Sequence, residues 1–480
     1  MATSSQRLSR RATGTPVVEA VESRQLMSAT LRVGTDFPTI QAAIDAASAG
    51  DTVAVPAGTY SENLRLDKNV SLVGAGSGTD PAADTVIAAP SGAAVLRLTA
   101  SGTSSASPLM LRGLRLTVGS QNVHGIDVPD GAAVSHVAID DVAVVGSDPT
   151  DSLENEAGLW VAADASADDL VVTNSRFDHL AYGWYFQQHV EAPTNVTRVS
   201  VSETSFSHNE AKGLYLEKIS DAIFADVSVV GNGLVPAFFG YANAAGVDVN
   251  LKGAVAYQNL VFRNLTVTGN ALGAANGVGL TVKARGTGGE TNQLYTAHPA
   301  TLANVKVLGG TFSGNQSGIR LGEPGKSNAG PTGVVVTGAS ISGNVVAGLV
   351  NATKATVDAR GNFWGSSTGP TAASNPAGTG DLVVTAPGLV ALAPWLTAAP
   401  SATTQVWSAG GATLRVDAAA GTFTFFTADG TTFTGTGARV QNGVLKVHEQ
   451  TAAGKIDIDA VLDGLITVNV RGKAKATFTL

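Results

Sequence analysis

The sequence predicts an all-β solenoid of parallel strands wound into stacked coils, with an N-terminal capping helix and a small C-terminal antiparallel β-domain. Three observations carry this reading. Glycine occurs 56 times and charged residues make up only 14% of the 480 positions, and the intervening stretches of Val, Thr, Ser, Ala and Asn are strand-and-turn chemistry. A tight turn recurs as Ser207-His208-Asn209, Gly231-Asn232, Gly269-Asn270, Gly314-Asn315, Gly343-Asn344 and Gly361-Asn362. After the turns a second glycine opens a short apolar strand, at Gly125, Gly158, Gly183, Gly213, Gly246, Gly277, Gly318 and Gly348, spaced by 25 to 41 residues. Such self-similarity marks units that bury their apolar face only by stacking on one another.

Composition limits the function. Acidic residues exceed basic ones by eight and no Lys/Arg cluster tracks phosphates, which argues against nucleic acid as partner. Cysteine is absent, so disulfides, thiolate metal sites and thiol nucleophiles are excluded. No run of 18 apolar residues spans a membrane.

Residues 1–30 are polar and basic and read as a disordered leader or export segment. Ile40, Ala43, Ile44 and Ala47 then share one helical face behind Asp36-Phe37-Pro38, a short helix suited to covering the first coil's unpaired edge. From 31 to 397 the pattern is that of the solenoid. Alternation puts Ile126/Val128, Leu159/Val161, Trp184/Phe186, Leu214/Leu216, Val247/Val249, Val278/Leu280, Ile319/Leu321 and Leu349/Asn351 on one apolar, core-facing side. Asn tolerates the left-handed turn conformation, and stacked Asn amides are expected to hydrogen-bond from coil to coil. Residues 398–404 read as a linker. From 405 to 480, alternating runs such as Thr422–Phe426, Lys455–Asp459 and Leu465–Val470 between glycine turns read as a small all-β domain.

Several segments resemble known families. The repeats are similar to the right-handed parallel β-helix repeat, or pectin-lyase-like, proteins of bacterial extracellular type, and the likeness implies a right-handed β-helix. The stretch Gly58-Thr-Tyr60-Ser-Glu62 resembles the "G-x-Y-x-E" of pectin methylesterases. Gly361-Asn362-Phe363-Trp364-Gly365 through Gly369-Pro370, followed by Pro394-Trp395-Leu396, resembles the terminal coil of many bacterial β-helix proteins. Glu22–Ala29 resembles the "LE-x-R-x-LLSA" leader of extracellular proteins from some budding bacteria, which implies an extracellular or cell-surface location. The remaining "Q-D-T" and "D-F-I-F-G" segments of pectin methylesterases are missing, as are the "N-T-D-G" and "G-H-G" motifs of polygalacturonases. Their catalytic residues therefore do not carry over.

Outward positions offer the candidate chemistry. Two after each repeat glycine lie Asp127, Trp160, Tyr185, Tyr215, Asp248, Gly279, Arg320 and Val350; one before it lie His124, Ala157, Tyr182, Lys212, Ala245, Asn276, Ser317 and Ala347. Trp160, Tyr182, Tyr185, Tyr215, Asp248 and Arg320 thus form a candidate substrate-binding strip, at a coil spacing of about 4.8 Å that approaches the advance of one sugar unit. Aromatic stacking for stability alone explains the same strip equally well. Two long loops, 148–156 and 233–243, are expected to wall it. His179, His208, Glu210, Lys212 and Glu217 form a candidate acid–base cluster, the histidines placed one above the other. Non-catalytic turn histidines are the plainer alternative. Asp148, Asp151, Glu154 and Glu156 could ligate Ca2+ or be a solvated acidic loop.

Two functions follow. One is an extracellular protein that binds, and in its enzymatic form degrades by lysis or hydrolysis, a polysaccharide or cell-surface glycan. The other is a non-catalytic surface, adhesion or structural β-helix. A monomer is expected.

Overall fold

One turn of the solenoid shows how the sequence builds it. Tyr182–Phe186, Val196–Ser202 and Ser205–Ser207 are three strands around one coil, and the chain then returns at Lys212–Leu216 in parallel register on the first of them. Between the second and third strands the chain bends through a residue of left-handed φ, seen at Asn174, Glu203, Asp226 and Asn264. Through that bend two faces share one sheet of 21 strands, and the third face is a sheet of 12. The protein is a parallel β-helix with a small antiparallel β-domain at its C-terminal end. This computed structural model describes residues 28–480 except 91, 120–123, 147–155, 234, 237–240, 290, 387–388, 402–403, 418, 442–443, 462–464, 471–472 and 480.

The expected core face is inside. Leu159, Trp184, Leu214, Val247, Leu280, Ile319 and Leu349 pair one above another along the 12-stranded sheet. All are buried, Leu214, Val247 and Ile319 to 1%, 2% and 0% exposure. Each such side chain contributes roughly 1.5–3 kcal/mol relative to exposure.

One coil departs from the sequence register. Gly279, two residues after Gly277, is the glycine that pairs with Gly246's strand, because Val278 lies on Ala245 and Leu280 on Val247. Thr281 consequently takes the outward place assigned to Gly279, and Val278 rather than Asn276 follows Ala245. The reason is steric. A Cβ at Gly183, Gly213, Gly246, Gly279 or Gly318 would lie 2.4 to 2.9 Å from the carbonyl oxygen of the next coil's glycine, so the close approach needs glycine there. Gly277 meets Ala271 instead and belongs to the preceding loop.

The asparagine ladder forms. Side-chain amides bond from Asn209 to Asn232 (2.8 Å), to Asn270 (2.9 Å), to Asn315 (2.9 Å) and to Asn344 (3.1 Å). Asn344 then donates to Asp381 at 2.8 Å. A column in which each amide donates onward ends naturally on a group that only accepts. Asp381 therefore closes the ladder, whereas Asn362 lies outside it, bonded to Val336 and Ala339.

Both ends are covered. The helix Ile40–Ala46 is capped by Thr39, three residues after the expected start at Asp36, and it buries Ile40, Ala43 and Ile44. Glu62 accepts the helix's Ile40 and Gln41 amides, both at 3.0 Å, which gives the "G-x-Y-x-E" stretch a structural duty here. At the other end, antiparallel strands from Thr404–Ala409 to Lys473–Thr479 form sheets of four and five strands. They share a core of Trp407, Leu414, Phe425, Leu445, Ile458 and Val468. Lys306 of the solenoid donates to the Ser408 carbonyl at 2.8 Å. No helix among the described residues is long and apolar enough to cross a membrane.

Candidate functional site

The outward column of the 12-stranded sheet reads Asp127, Trp160, Tyr185, Tyr215, Asp248, Thr281, Arg320 and Val350. It changes character along its length: aromatic first, then charged. Two strands here, Ala245–Leu251 and Val278–Ala284, run seven residues instead of the five of their neighbours. Their extra alternation adds Asn250 and Lys283 as paired outward residues. Lys252 and Arg285 follow at the strand ends.

Part of this face lines a groove of about 420 Å³, with Tyr182, Tyr185 and Tyr215 at one end, Asp248, Asn250 and Lys283 along the floor, and Arg320 and Glu323 at the other end. Loop 148–156 lies largely outside the described residues, and from 233–243 Asn243 lines the groove. At the charged end it is lined by Arg285, Glu323 and Pro324, which are followed by segments 286–289 and 325–329. They are fastened together, since Thr287 accepts the Ala329 amide at 3.2 Å and a Cβ at Gly289 would lie 2.4 Å from the Lys326 carbonyl oxygen. The short helix Gln293–Ala297 sets Tyr295 5.4 Å from the Arg285 guanidinium and 5.9 Å from the Lys252 ammonium.

Electrostatics organise the floor. Asp248, 1% exposed, lies between Lys212 at 2.7 Å and Lys283 at 2.9 Å. Burial opposes its charge, but the two ammoniums outweigh burial and hold the carboxyl well below its usual range. Burial pulls Lys283 down to about 8 despite Asp248. Lys252 pairs with Glu217, and Arg285 with Glu323. Burial first, then nearby carboxylates, push the Tyr185 and Tyr215 phenols far up, so they stay protonated and can donate. Asn250 Nδ2 donates to the Tyr215 hydroxyl at 3.1 Å.

The aromatic strip is a ladder whose rings face one another. His124 stacks on Trp160 at 4.4 Å, Trp160 meets Tyr185 edge-on at 4.5 Å, and Tyr185 stacks on Tyr215 at 4.7 Å. The Lys212 ammonium covers the Tyr215 ring at 3.5 Å. The rings thus spend their faces on neighbours, and Trp160 lies outside the groove lining. Of the proposed acid–base cluster, Lys212 lines the groove, while Glu217 lies outside the lining and pairs with Lys252. His179 and His208 do stack, at 5.4 Å, but on the turn before the asparagine ladder, and with Glu210 they are absent from the groove lining. Both have left-handed φ, 57° and 55°, in the column that Gly231 continues. Asp148, Asp151 and Glu154 fall outside the described residues, while Glu156 is buried at 1% exposure. Among the described residues no three His, Asp or Glu side chains converge as metal ligands.

Sequence reading missed Lys283, Lys252, Arg285, Glu323 and also Lys218. The last is fully buried, with its ammonium bonded to the carbonyls of Ala162 (2.7 Å), Ala163 (3.1 Å) and Ala165 (2.6 Å) and to the Thr194 hydroxyl (2.7 Å). It clamps neighbouring coils beneath the sheet.

No family model and no curated protein matches this chain. Solved structures do match. An alginate lyase from Paenibacillus sp. str. FPU-7 aligns with 15% identity over 75% of this chain and 99% of its own, at a TM-score of 0.41. The full-length tailspike protein 2 of Escherichia coli O157:H7 bacteriophage CAB120 aligns with 12% identity over 95% and 69%, at 0.46. The Streptococcus pneumoniae surface protein and adhesin PfbA aligns with 13% identity over 68% and 91%, at 0.38. Likeness at this level concerns the solenoid fold, and the chemistry has to be argued from the groove.

Proposed function

We propose that this is an extracellular or cell-surface protein that binds an anionic polysaccharide along the groove from Tyr185 to Arg320. The observation that carries this reading is an inversion of charge. Among the residues that line the groove, four cations (Lys212, Lys283, Arg285, Arg320) face two carboxylates (Asp248, Glu323), in a chain of net charge −8. Phenols and the amides of Asn243, Asn250 and Asn276 supply neutral hydrogen-bonding groups suited to sugar hydroxyls. The lining residues come from five successive coils, so at about 4.8 Å per coil the floor suits a run of roughly four sugar units. The leader-like residues 22–29 support the location.

Cleavage is the second reading, and Lys283 favours it. A two-carboxylate glycosidase needs one protonated carboxyl, yet each groove carboxylate named above is paired with a cation. β-Elimination needs none. Arg320 would neutralise a uronate carboxylate while the Lys283 amine takes the proton α to it. That electron pair becomes the ring double bond, the bond to the glycosidic oxygen at C4 breaks, and a tyrosine hydroxyl protonates the leaving oxygen. Because burial brings Lys283 to about 8, turnover should rise with pH through that value.

Retention on immobilised uronate and neutral glycans tests binding, and absorbance of unsaturated product tests cleavage. Binding without product supports the non-catalytic surface role. Absence of retention on any uronate glycan overturns the groove's assignment.

A further inference from the structure

The groove cations are not equivalent. Lys212, Lys283 and Arg285 each have a carboxylate partner, whereas Arg320 has none within ion-pair distance among the described residues. Arg320 is 5% exposed; its Nη1 donates to the Asn276 carbonyl at 2.8 Å, and its Nε has no acceptor. Its register neighbour one coil back is Thr281, 1% exposed, whose hydroxyl also lacks a partner. Buried polar atoms are nearly always satisfied, and two unsatisfied register neighbours, the Arg320 guanidinium in the groove lining and the Thr281 hydroxyl beside it, mark a place left for a ligand. A guanidinium fork beside a hydroxyl fits a planar carboxylate.

The coils on the other side of Thr281 offer no second place for an anion. Asp248 already has an ammonium on each oxygen, at 2.7 and 2.9 Å, so a further carboxylate there meets a buried like charge. Beyond it lie the protonated phenols of Tyr215 and Tyr185, which suit uncharged sugars.

We infer that Arg320 and Thr281 form a single-anion subsite at one end of the groove, and that the units running from it toward Tyr185 are neutral. The ligand is then a glycan whose acidic units are separated by uncharged ones. This rests on the anionic-glycan reading of the groove and narrows it.

Calorimetric titration at low salt with three hexasaccharides tests it: a hyaluronan hexamer, which alternates uronate and neutral units, a galacturonate hexamer, and neutral cellohexaose. The alternating hexamer should bind at least tenfold more tightly than the homouronate. Arg320→Gln, which keeps a donor for the Asn276 carbonyl, should reduce its affinity to that of cellohexaose, with Arg320→Lys in between. Homouronate binding as tightly as the alternating hexamer overturns the single-anion subsite and leaves the anionic groove standing. Retained preference in Arg320→Gln moves the anion elsewhere and also overturns it. Failure of both acidic hexamers to bind the unaltered protein overturns the subsite and the groove together. The comparison of ligands needs no variant, so a misfolded substitution does not blunt it.

Discussion

Two columns run up this solenoid, and they are finished differently. In the asparagine ladder every amide from Asn209 to Asn344 bonds onward, and Asp381 accepts the last bond. In the outward column of the 12-stranded sheet the sequence of residue types breaks from aromatic to charged, and it leaves the Thr281 hydroxyl and Arg320 Nε without partners. The first column is closed within the chain, as a stabilising device should be. The second is complete only up to Asp248 and open beyond it, which is why the binding chemistry is assigned there.

That contrast gives a ranked set of expectations. The largest effect belongs to the junction itself. Asp248→Asn removes the buried anion and leaves Lys212 and Lys283 facing each other, which should cost about 3 kcal/mol or more in chemical denaturation. Its pH dependence has a definite sign. The folded Asp248 carboxyl is held below its ordinary value of 3.8, so its contribution is full above that value and is lost as pH falls through the folded one. The variant's stability should therefore fall less steeply below pH 4 than the parent's; parallel acid limbs would remove Asp248 from the account.

Next comes the closed column. Asn270 bonds Asn232, Asn315 and the Val229 carbonyl, so Asn270→Ala strands several buried groups and should lower stability by about 2–3 kcal/mol. Glycan affinity should stay unchanged, measured by the same titration. An affinity loss comparable to that of Arg320→Gln would erase the distinction between the columns.

The smallest effect is expected at His208. It occupies a left-handed position where the next coil has Gly231, so His208→Gly should change stability by no more than about 1 kcal/mol. Binding and any product release should persist. Abolished cleavage by a folded His208→Gly would restore the stacked histidines as the acid–base pair.

Much of this molecule is legible in the residues because a solenoid repeats its constraints. Alternation puts Leu214 and Val247 inside and Tyr215 and Asp248 outside, and recurrent Asn marks the ladder. The register fails where a loop carries its own glycine, as Gly277 does. The longer alternation of Gly246-Val-Asp-Val-Asn-Leu-Lys252 against Gly279-Leu-Thr-Val-Lys-Ala-Arg285 would have aligned the coil and added Lys283. Asn362 misled for the opposite reason: it has the ladder's sequence but sits at another bend. The contact of 287–289 with 326–329 beside the charged end has no repeat to betray it, since it forms between two insertions. Nor does a pattern of outward aromatics say whether their faces are open; Tyr215 is covered by Tyr185 and Lys212.

The central claim, that the ligand lies along the open column, is tested most directly by amide hydrogen exchange with and without the hyaluronan hexamer. Slowed exchange is expected in 242–252, 276–300 and 319–331, with no change at the His179–His208 turn. Protection confined to that turn or to the C-terminal β-domain, with the groove segments unaltered, would contradict it.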